Sequence, residues 1–597
     1  MKTLLKLLCL FLLMAFTAAA EAPQLANSSA RHGISLNGTW HYLVDVYDTG
    51  RNSHMERDFT PRDKTQWSEY GFAGSPLLNV PGDWNTQSQQ LFFYEGTIWY
   101  QRTFSVEKHA GTRLFLHFGA VANRATVYLN GAKLGSHEGA FTPFDFEVTD
   151  KAREGVNDLV VEVNNRRSAD AVPALNTDWW NYGGITREVS LVEVPASFIE
   201  DYSVQLAKGS EGTVEGWVRL NGATAPESVT VAIPEAGIRQ SLTTDAAGLA
   251  HFRFPAKLQL WSPETPKLYT VKIASANDAI ADEIGFRTIE VRGSKIYLNG
   301  KQVFLRGISI HEEAPFRSGR AISTEDDATL LGWAKELGCN FVRLAHYPHN
   351  EQMTRLADRL GLMVWSEVPV YWDTAWTNPA TLANAGAQLR SNIARDHNRA
   401  SIVIWSVANE TTPSPERTAF LGHLIDEVRL LDGTRLIGAA LNHWENPAPN
   451  TRLLSDPLGE KLDVLGLNEY LGWYEGHFAD FDRVKWQFAL NKPVIVSEFG
   501  GGAVAGLHGD SETRWSEEYQ RALFEKQLKM LSQMPQLAGM SPWLLMDFLS
   551  PRRLMPGIQD YYNRKGLISN RGQRKEAFST LQEFYQQKAK EQSSLQQ

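Results

Sequence analysis

Two glutamates in the second half of the chain follow short apolar segments and could act as a pair. Glu410 follows residues 402–406, and Glu498 ends the segment that begins at residue 494. Two carboxyl groups at about 5 Å suit a double displacement at a sugar's anomeric carbon, in which one attacks and the other protonates the leaving oxygen. The two roles need different pKa values, and mutual repulsion raises the pKa of the acid.

The elements that must position this pair are short apolar segments that alternate with amphipathic stretches beyond residue 291. The candidate strands are 302–307, 341–344, 363–365, 402–406, 436–440, 464–467, 494–497 and 539–545. Residues 327–338, 351–361 and 516–531 carry apolar side chains at helical spacing. Eight strands separated by helices predict a (β/α)8 TIM barrel. A doubly wound sheet is the main alternative, and the lack of a Gly-rich turn after the first strand disfavours it.

Side chains that do chemistry in such a barrel lie at the carboxyl ends of the strands. Glu410 and Glu498 follow strands four and seven, so we expect them to face each other across the mouth. One glutamate alone would be explained as well by a salt bridge or a helix cap. Polar or aromatic residues follow the other strands too, and burying so many without partners would be costly: His311, Glu312, Glu313, His346, Glu367, Asn409, Asn442, Asn468, Glu469, Trp543 and Asp547.

The first half of the chain has the pattern of β-structure. Residues 34–192 contain short alternating segments such as TRLFLHFG and NDLVVEVNN with Gly and Asn between them, which predicts a jelly-roll sandwich. The same pattern of short alternating segments continues over residues 193–290, and this shorter unit predicts an immunoglobulin-like sandwich. A chain of 597 residues is too long for one core. We therefore predict domains at 24–192, 193–290 and 291–597.

Composition narrows the classes of partner. The chain is 43% hydrophobic and 21% charged with a net charge of −9, and no basic stripe points to nucleic acid. Its 18 Trp, 18 Tyr and 28 Phe belong mostly to large cores, although sugar sites also use aromatic faces. The sequence has no HxxxH or CxxC spacing, so we predict neither a metal site nor a cofactor.

The N-terminus has the pattern of a signal peptide over residues 1–20. Lys2 and Lys6 precede an apolar run at 7–16, and three alanines at 18–20 suit cleavage. We therefore expect a secreted or periplasmic protein with no membrane contact after cleavage. Cys9 lies inside the run without a lipoprotein pattern, and Cys339 alone would remain in the mature chain, so no intramolecular disulfide is expected.

Long ordered motifs give the chain a family resemblance. They are LNGTW (36–40), VPGDWN (80–85), YEGTIWYQRTF (94–104), NYGGITREV (181–189), WSVANE (405–410), LNEYLGWY (467–474), IVSEFG (495–500) and WSEEYQ (515–520). By these motifs the chain resembles glycoside hydrolase family 2, and within it the β-glucuronidases, over nearly all of its mature length. The family architecture is a jelly roll, an immunoglobulin-like domain and a TIM barrel, as the patterns predict. Relatives often form dimers or tetramers, so the resemblance also indicates a homo-oligomer.

The resemblance implies roles for individual residues. Glu410 matches the acid/base, Glu498 the nucleophile, and Asn409 the residue that holds the sugar 2-hydroxyl. Asp178, in NTDWWNYGG, matches a carboxylate that the first domain sends into the barrel mouth. Further pocket positions are matched by His311, His346, Asn468, Tyr470, Tyr474 and Trp543, with Tyr470 expected to hydrogen-bond the nucleophile.

Substrate choice depends on the segment YYNRKGLIS after strand eight. Asn563 and Lys565 match an Asn-x-Lys pair that, in β-glucuronidases, binds the C6 carboxylate of the sugar. An ammonium and an amide donor can satisfy a carboxylate in a partly dry pocket. The sequence departs from the family here, because the arginine often found just before the pair has no clear match. Arg552 and Arg553, further upstream, could take its place.

The carbohydrate that the site accepts is predicted to be large. The loop after strand three lacks a long insertion, and Tyr371, Trp372 and Trp376 should line an open mouth. We therefore expect a retaining exo-β-glycosidase that removes terminal glucuronic acid from oligosaccharides or glycoconjugates. Three alternatives stay open: a β-galactosidase in which Lys565 is idle, a β-galacturonidase, and a non-catalytic carbohydrate-binding protein on an inactive barrel.

Overall fold

The computed structural model describes residues 24–57, 71–442 and 445–596. The predicted signal peptide lies outside these residues. The three predicted domains are present in the predicted order, so the multidomain fold of two β-sandwiches and a TIM barrel is confirmed. Within the described ranges, no helix is long and apolar enough to cross a membrane.

The first domain packs a four-stranded sheet against a six-stranded sheet. Alternate residues of both sheets point inward and form a core that includes Trp40, Trp84 and Phe118. Its last long strand, Val189–Pro195, pairs along its whole length with Thr112–Phe118. This strand therefore continues three residues beyond the predicted boundary at residue 192. The strands are Gly33–Ser35, Gly38–Asp45, Leu77–Val80, Thr97–Val106, Thr112–Phe118, Val121–Ala122, Arg124–Leu129, Ala132–Glu138, Phe144–Glu147, Gly155–Asn164, Gly184–Ile185 and Val189–Pro195, with a short helix Trp84–Gln87.

The second domain is a sandwich of a three-stranded and a four-stranded antiparallel sheet. Its strands are Phe198–Leu206, Thr213–Asn221, Ser228–Ile233, Ile238–Thr243, Leu249–Pro255, Tyr269–Ala274 and Ala279–Ile284. A separate three-stranded sheet follows, formed by Ile289–Arg292, Lys295–Leu298 and Lys301–Val303. The predicted boundary at 290 falls inside the first of these strands, because this sheet continues the alternating β-pattern beyond the sandwich.

The third domain is a parallel barrel. Its strands are Leu305–Arg306 with Ser309–Ile310, Phe341–Leu344, Met363–Glu367, Ile402–Asn409, Leu436–Leu441, Leu465–Asn468, Val494–Glu498 and Leu537–Met540. The first strand is broken, and its two pieces pair with strands eight and two, which closes the sheet. The α-helices are Thr324–Glu336, Glu351–Leu360, Pro379–Asp396, Pro415–Leu431, Glu517–Leu531 and Glu576–Gln596. Strands five and six are followed by the short 3-10 helices Pro457–Glu460 and Phe478–Arg483.

Two predicted strands differ from the structure. Residues 302–303 pair with the small sheet below the barrel rather than with the barrel itself. Strand eight ends at Met540, so Trp543 stands in the loop beyond it. Both differences fall at the edge of a predicted strand: Gln302 and Val303 precede the barrel strand, and Ser541 and Pro542 separate Met540 from Trp543.

The barrel interior is filled at its N-terminal end and polar at its C-terminal end. The filling comes from Trp261 of the second domain and from Ile296 and Leu298 of the small three-stranded sheet. These side chains pack against Trp365 and Ile404 inside the barrel. This apolar plug leaves the carboxyl ends of the strands as the face on which a site can form.

The first domain is anchored to that face by a buried ion cluster. Arg187 donates to Glu312 at 3.1 Å, and Arg320 also donates to Glu312. Burial alone would raise the pKa of Glu312, but the two arginines lower it to about 2. Beside this cluster, the rings of Phe141 and Tyr347 stack across the interface at 3.9 Å. The loop that carries Asp178 is thereby held over the barrel mouth.

Replacing Arg187 with methionine is expected to destabilise this interface. The change removes one of the two guanidinium groups that bind Glu312, and the Phe141 carbonyl loses the donor that Arg187 places at 2.7 Å. Breaking such a buried pair costs about 3–5 kcal/mol. Scanning calorimetry should show the first unfolding transition lowered by at least about 5 °C. The exposed Arg239→Met is the control, and equal behaviour of the two variants would contradict the role given to Arg187.

Candidate active site

A cavity of about 480 Å³ opens at the carboxyl end of the barrel, a size typical of small-molecule sites. It is lined by Asp178, His346, Tyr371, Trp372, Glu410, Asn442, Asn468, Tyr470, Tyr474, Glu475, Glu498, Trp543, Arg552, Arg553 and Lys565. Seven of the predicted pocket residues, together with both predicted catalytic glutamates, are among them. Asp178 comes from the first domain, so two domains build one site.

Glu498 ends strand seven and is held from both sides. The Arg343 guanidinium donates to its Oε1 at 2.8 Å, and the Tyr470 hydroxyl donates to its Oε2 at 2.7 Å. The Tyr470 contact is as predicted. Arg343 is fully buried and also contacts Glu367 at 3.0 Å. A carboxylate that accepts from a buried guanidinium and a phenol is fixed in position.

Glu367 lies behind this contact. It accepts hydrogen bonds from Arg343 and from Trp365, and it lies 3.0 Å from Nδ1 of His346. Burial would raise its pKa, but Arg343 and His346 lower it to about 2. Glu367 is therefore the counter-charge that keeps Arg343 buried beneath the site.

Glu410 follows strand four in a different environment. Its backbone is left-handed, with φ of 52°, and this turn follows directly on the strand that ends at Asn409. The carboxyl group accepts hydrogen bonds from the Trp372 indole at 2.8 Å and from the Asn468 amide at 2.9 Å. Both donors are neutral. Burial, with the negative charge of Glu498, raises the pKa of Glu410 to about 7. Glu410 can therefore carry a proton near neutral pH.

Asn409 precedes Glu410 and has one free donor. Its Oδ1 accepts from Arg343 at 2.6 Å, which fixes the orientation of the amide. Its Nδ2 is buried and has no hydrogen-bond partner among the described residues. A buried donor without a partner is costly, and a substrate hydroxyl would satisfy it.

A second cluster of polar side chains surrounds Asp178. Arg553 donates to both of its oxygens, Ser550 donates at 2.6 Å, and the Asn563 amide donates at 3.1 Å. Asp178 is therefore bound to the loop after strand eight, as well as lining the cavity. Arg553 is engaged by this carboxylate.

Lys565 has a different kind of partner. Its ammonium donates to the Tyr474 hydroxyl at 2.6 Å and lies over the Tyr470 and Tyr474 rings. No carboxylate of the described residues forms an ion pair with it, although the residue is only 3% exposed. The Asn563 Oδ1 accepts from the Lys565 backbone at 3.2 Å, which fixes the Asn-x-Lys turn.

Four predicted or expected positions do not line the cavity: His311, Asn409, Asn563 and Trp376, of which Asn409 is buried next to Glu410. His311 lies behind His346 and Trp543 rather than on the cavity, with its Nδ1 3.1 Å from the Tyr347 hydroxyl. Asn563 is buried behind Asp178. Trp376 packs against Phe420 and does not line the mouth, so that expectation is wrong.

The sequence reasoning missed Arg343. An arginine in an otherwise apolar strand, FVRL, is the signal that could have identified it, because a charge there must be paired. The sequence also predicted that Trp372 lines the mouth, but not that its indole donates a hydrogen bond to Glu410.

The site thus combines a carboxylate held by a guanidinium and a phenol with a second carboxyl group whose pKa is raised to about 7, at the mouth of one barrel. Such a pair can attack an anomeric carbon and protonate the leaving oxygen. One group of side chains elsewhere among the described residues is close enough to share a cation: His508, Glu518 and Glu576. His508 and Glu518 already pair with each other, and Glu576 pairs with Arg521.

Comparison with known proteins defines the class. The family model described as "Glycosyl hydrolases family 2, TIM barrel domain" matches residues 289–589. The family's sugar binding domain matches residues 34–195, and a third family 2 segment matches residues 197–287. The chain belongs to glycosyl hydrolase family 2 and is a glycoside hydrolase, which removes the alternative of a non-catalytic binding protein.

Individual relatives narrow the likeness further. The beta-glucuronidase of Paenibacillus borealis is 28% identical over 605 residues, which cover 92% of this chain and 95% of that protein. A Bifidobacterium dentium beta-glucuronidase, solved with coumarin-3-O-glucuronide, has a TM-score of 0.81 at 25% identity and covers 94% of this chain and 98% of its own. A beta-galacturonidase from Eisenbergiella tayi has a TM-score of 0.78 at 24% identity, covering 94% and 97%, which is a likeness of fold.

Proposed function

We propose that the protein is a retaining β-glucuronidase that removes terminal glucuronic acid from the non-reducing ends of oligosaccharides or glycoconjugates. The observation that carries the proposal is the Lys565 ammonium, buried in the cavity with a phenol as its hydrogen-bond partner and no carboxylate. A buried cation without a counter-charge is penalised, and the carboxylate of a uronic acid would supply one. A neutral hexose would not.

The catalytic roles follow from the two carboxyl environments. Glu498, held by Arg343 and Tyr470, attacks the anomeric carbon and forms a covalent glycosyl-enzyme. Glu410 gives its proton to the leaving oxygen and then takes one from the water that hydrolyses the intermediate. Asn409 donates its free Nδ2 to the sugar 2-hydroxyl, and this contact strengthens in the transition state.

The remaining cavity residues position the glycone. Asp178 offers its carboxylate to sugar hydroxyls while Arg553 neutralises it. His346 stacks on Trp543 with ring centroids 4.7 Å apart, and together they provide a wall beside Glu498. Tyr474 orients Lys565 toward the C6 carboxylate. Asn468 holds the Glu410 carboxyl group.

Substrate preference separates this proposal from its alternatives. The beta-glucuronidase relatives support glucuronides, and β-galacturonidase is the second candidate because Lys565 could hold the carboxylate of the C4 epimer as well. We expect nitrophenyl β-glucuronide to be hydrolysed with a far higher kcat/KM than nitrophenyl β-galactoside. A higher kcat/KM on nitrophenyl β-galacturonide would favour the second candidate.

Replacing Lys565 with methionine is expected to lower kcat/KM on the glucuronide about 10- to 100-fold, since a charged hydrogen bond to the carboxylate is lost. Methionine keeps a chain of similar length between the Tyr470 and Tyr474 rings, so packing is largely retained. The residual galactoside activity is the internal reference. Equal losses on glucuronide and galactoside would show that Lys565 only supports the fold, and a wild-type enzyme that prefers galactoside would refute the proposal.

A further inference from the structure

Arg552 stands at the cavity mouth on the side of Glu410. Its guanidinium carbon lies 4.9 Å from the ring centroid of Trp372, and the Trp372 indole donates to Glu410 at 2.8 Å. The leaving oxygen must come within hydrogen-bond reach of Glu410 to receive its proton. The leaving sugar therefore passes next to Trp372 and Arg552.

The other cations at the cavity are already engaged. Arg553 binds Asp178, and Arg343 binds Glu498 and Glu367. Arg552 differs from both, because no carboxylate of the described residues lies within ion-pair distance of its guanidinium, and its backbone N–H donates to Ser550. Stacking on the indole holds the guanidinium plane without using its N–H donors.

Lys565 and Arg552 serve different parts of the cavity. Lys565 lies over the rings of Tyr470 and Tyr474, and Tyr470 donates to Glu498, so Lys565 belongs to the nucleophile's side. Arg552 reaches Glu410 through Trp372 and belongs to the acid's side. One carboxylate on the glycone accounts for Lys565 and leaves Arg552 without an anion.

We propose that Arg552 binds an anionic group, a carboxylate or a sulfate ester, on the sugar that leaves. The inference rests on the proposed function and adds the class of aglycone: acidic oligosaccharides over neutral ones. A guanidinium presents a planar fork of donors that matches either anion. The half-buried ring of Trp372, which lines the cavity, would pack against the C–H face of that sugar.

The test compares linkage-matched disaccharide glucuronides in which the leaving sugar is glucose, glucuronic acid or glucose bearing a sulfate ester. We expect the wild-type kcat/KM on one or both acidic substrates to exceed that on the neutral one about tenfold, the effect of one exposed charged hydrogen bond. Arg552→Gln should reduce this ratio to about one, chiefly through KM. Added salt should reduce the ratio in the wild type, because exposed charges are screened.

A matched variant separates local binding from net charge. Arg239→Gln removes an exposed arginine from the second domain and should keep the wild-type ratio. The two acidic substrates decide between carboxylate and sulfate. Equal kcat/KM on neutral and acidic disaccharides in the wild type, or a ratio unchanged by Arg552→Gln, would overturn the inference. Failure to hydrolyse nitrophenyl glucuronide would instead overturn the proposed function.

Discussion

Replacing Glu498 with alanine is expected to lower kcat on every β-glucuronide on the order of 10⁴-fold or more, because the covalent intermediate can no longer form. Glu498 is the member of the pair that is held by Arg343 and Tyr470, at 2.8 and 2.7 Å. The variant leaves the buried Arg343 with Glu367 as its remaining counter-charge, so circular dichroism and thermal unfolding should show a folded protein.

Azide gives this prediction a sharper form. In Glu498→Ala a small anion can occupy the vacated space and attack the anomeric carbon from the nucleophile's side. The product from a β-glucuronide with a good leaving group is then the α-glucuronyl azide. Proton NMR of the product anomer is the measurement. Glu475→Gln is the control, since Glu475 lines the same cavity but pairs with Arg452, and it should cost far less. Full activity in Glu498→Ala would place the nucleophile elsewhere, with Glu367 the first residue to examine.

Replacing Glu410 with glutamine is expected to lower kcat/KM about 10²- to 10⁴-fold on substrates with poor leaving groups, because general acid catalysis is lost. A nitrophenyl glucuronide needs less proton transfer in the first step, so its kcat/KM should fall less. The gap between the two substrate types is the signature of the acid. Glutamine has nearly the same shape as glutamate, but its single amide oxygen can accept from only one of the two donors, Trp372 and Asn468.

The pH profile tests the same residue. The pKa of Glu410 is raised to about 7 by burial and by the charge of Glu498. The first step needs the protonated form, so kcat/KM should fall as pH rises through about 7 in the wild type. In Glu410→Gln this alkaline limb should disappear. Azide added to Glu410→Ala should give the β-glucuronyl azide, the opposite anomer to that from Glu498→Ala. An unchanged alkaline limb in Glu410→Gln would assign the titration to another group.

The barrel and its two glutamates could be predicted because each depends on local information. Apolar segments of three to seven residues separated by helical patterns give the strand count, and the rule that sites lie at carboxyl ends then selects Glu410 and Glu498. Strand ends were less predictable: strand eight stops at Met540, whereas the predicted strand continued through Ser541 and Pro542 to residue 545.

Contacts between distant segments could not be predicted from the same patterns. Asp178 and Arg553 are 375 residues apart and meet because the first domain docks on the barrel. In the sequence, Arg343 is a single charge in a short apolar strand. Its contact with Glu498 arises only because strands two and seven belong to the same barrel. Trp376 was expected at the mouth because it is an aromatic residue in the loop after strand three. The path of that loop instead packs it on Phe420.

The most direct test of the account is to trap the glycosyl-enzyme. A 2-deoxy-2-fluoro-β-glucuronyl fluoride should react with the wild-type protein and stay attached. The fluorine at C2 slows both the formation and the hydrolysis of the glycosyl-enzyme, and the good leaving group, fluoride, restores the rate of formation only. Peptide mass spectrometry of the digested protein should then find the label on Glu498 within IVSEFG. A label on Glu367, on Glu410 or on no residue would contradict the assignment of Glu498 as the nucleophile of a retaining β-glucuronidase.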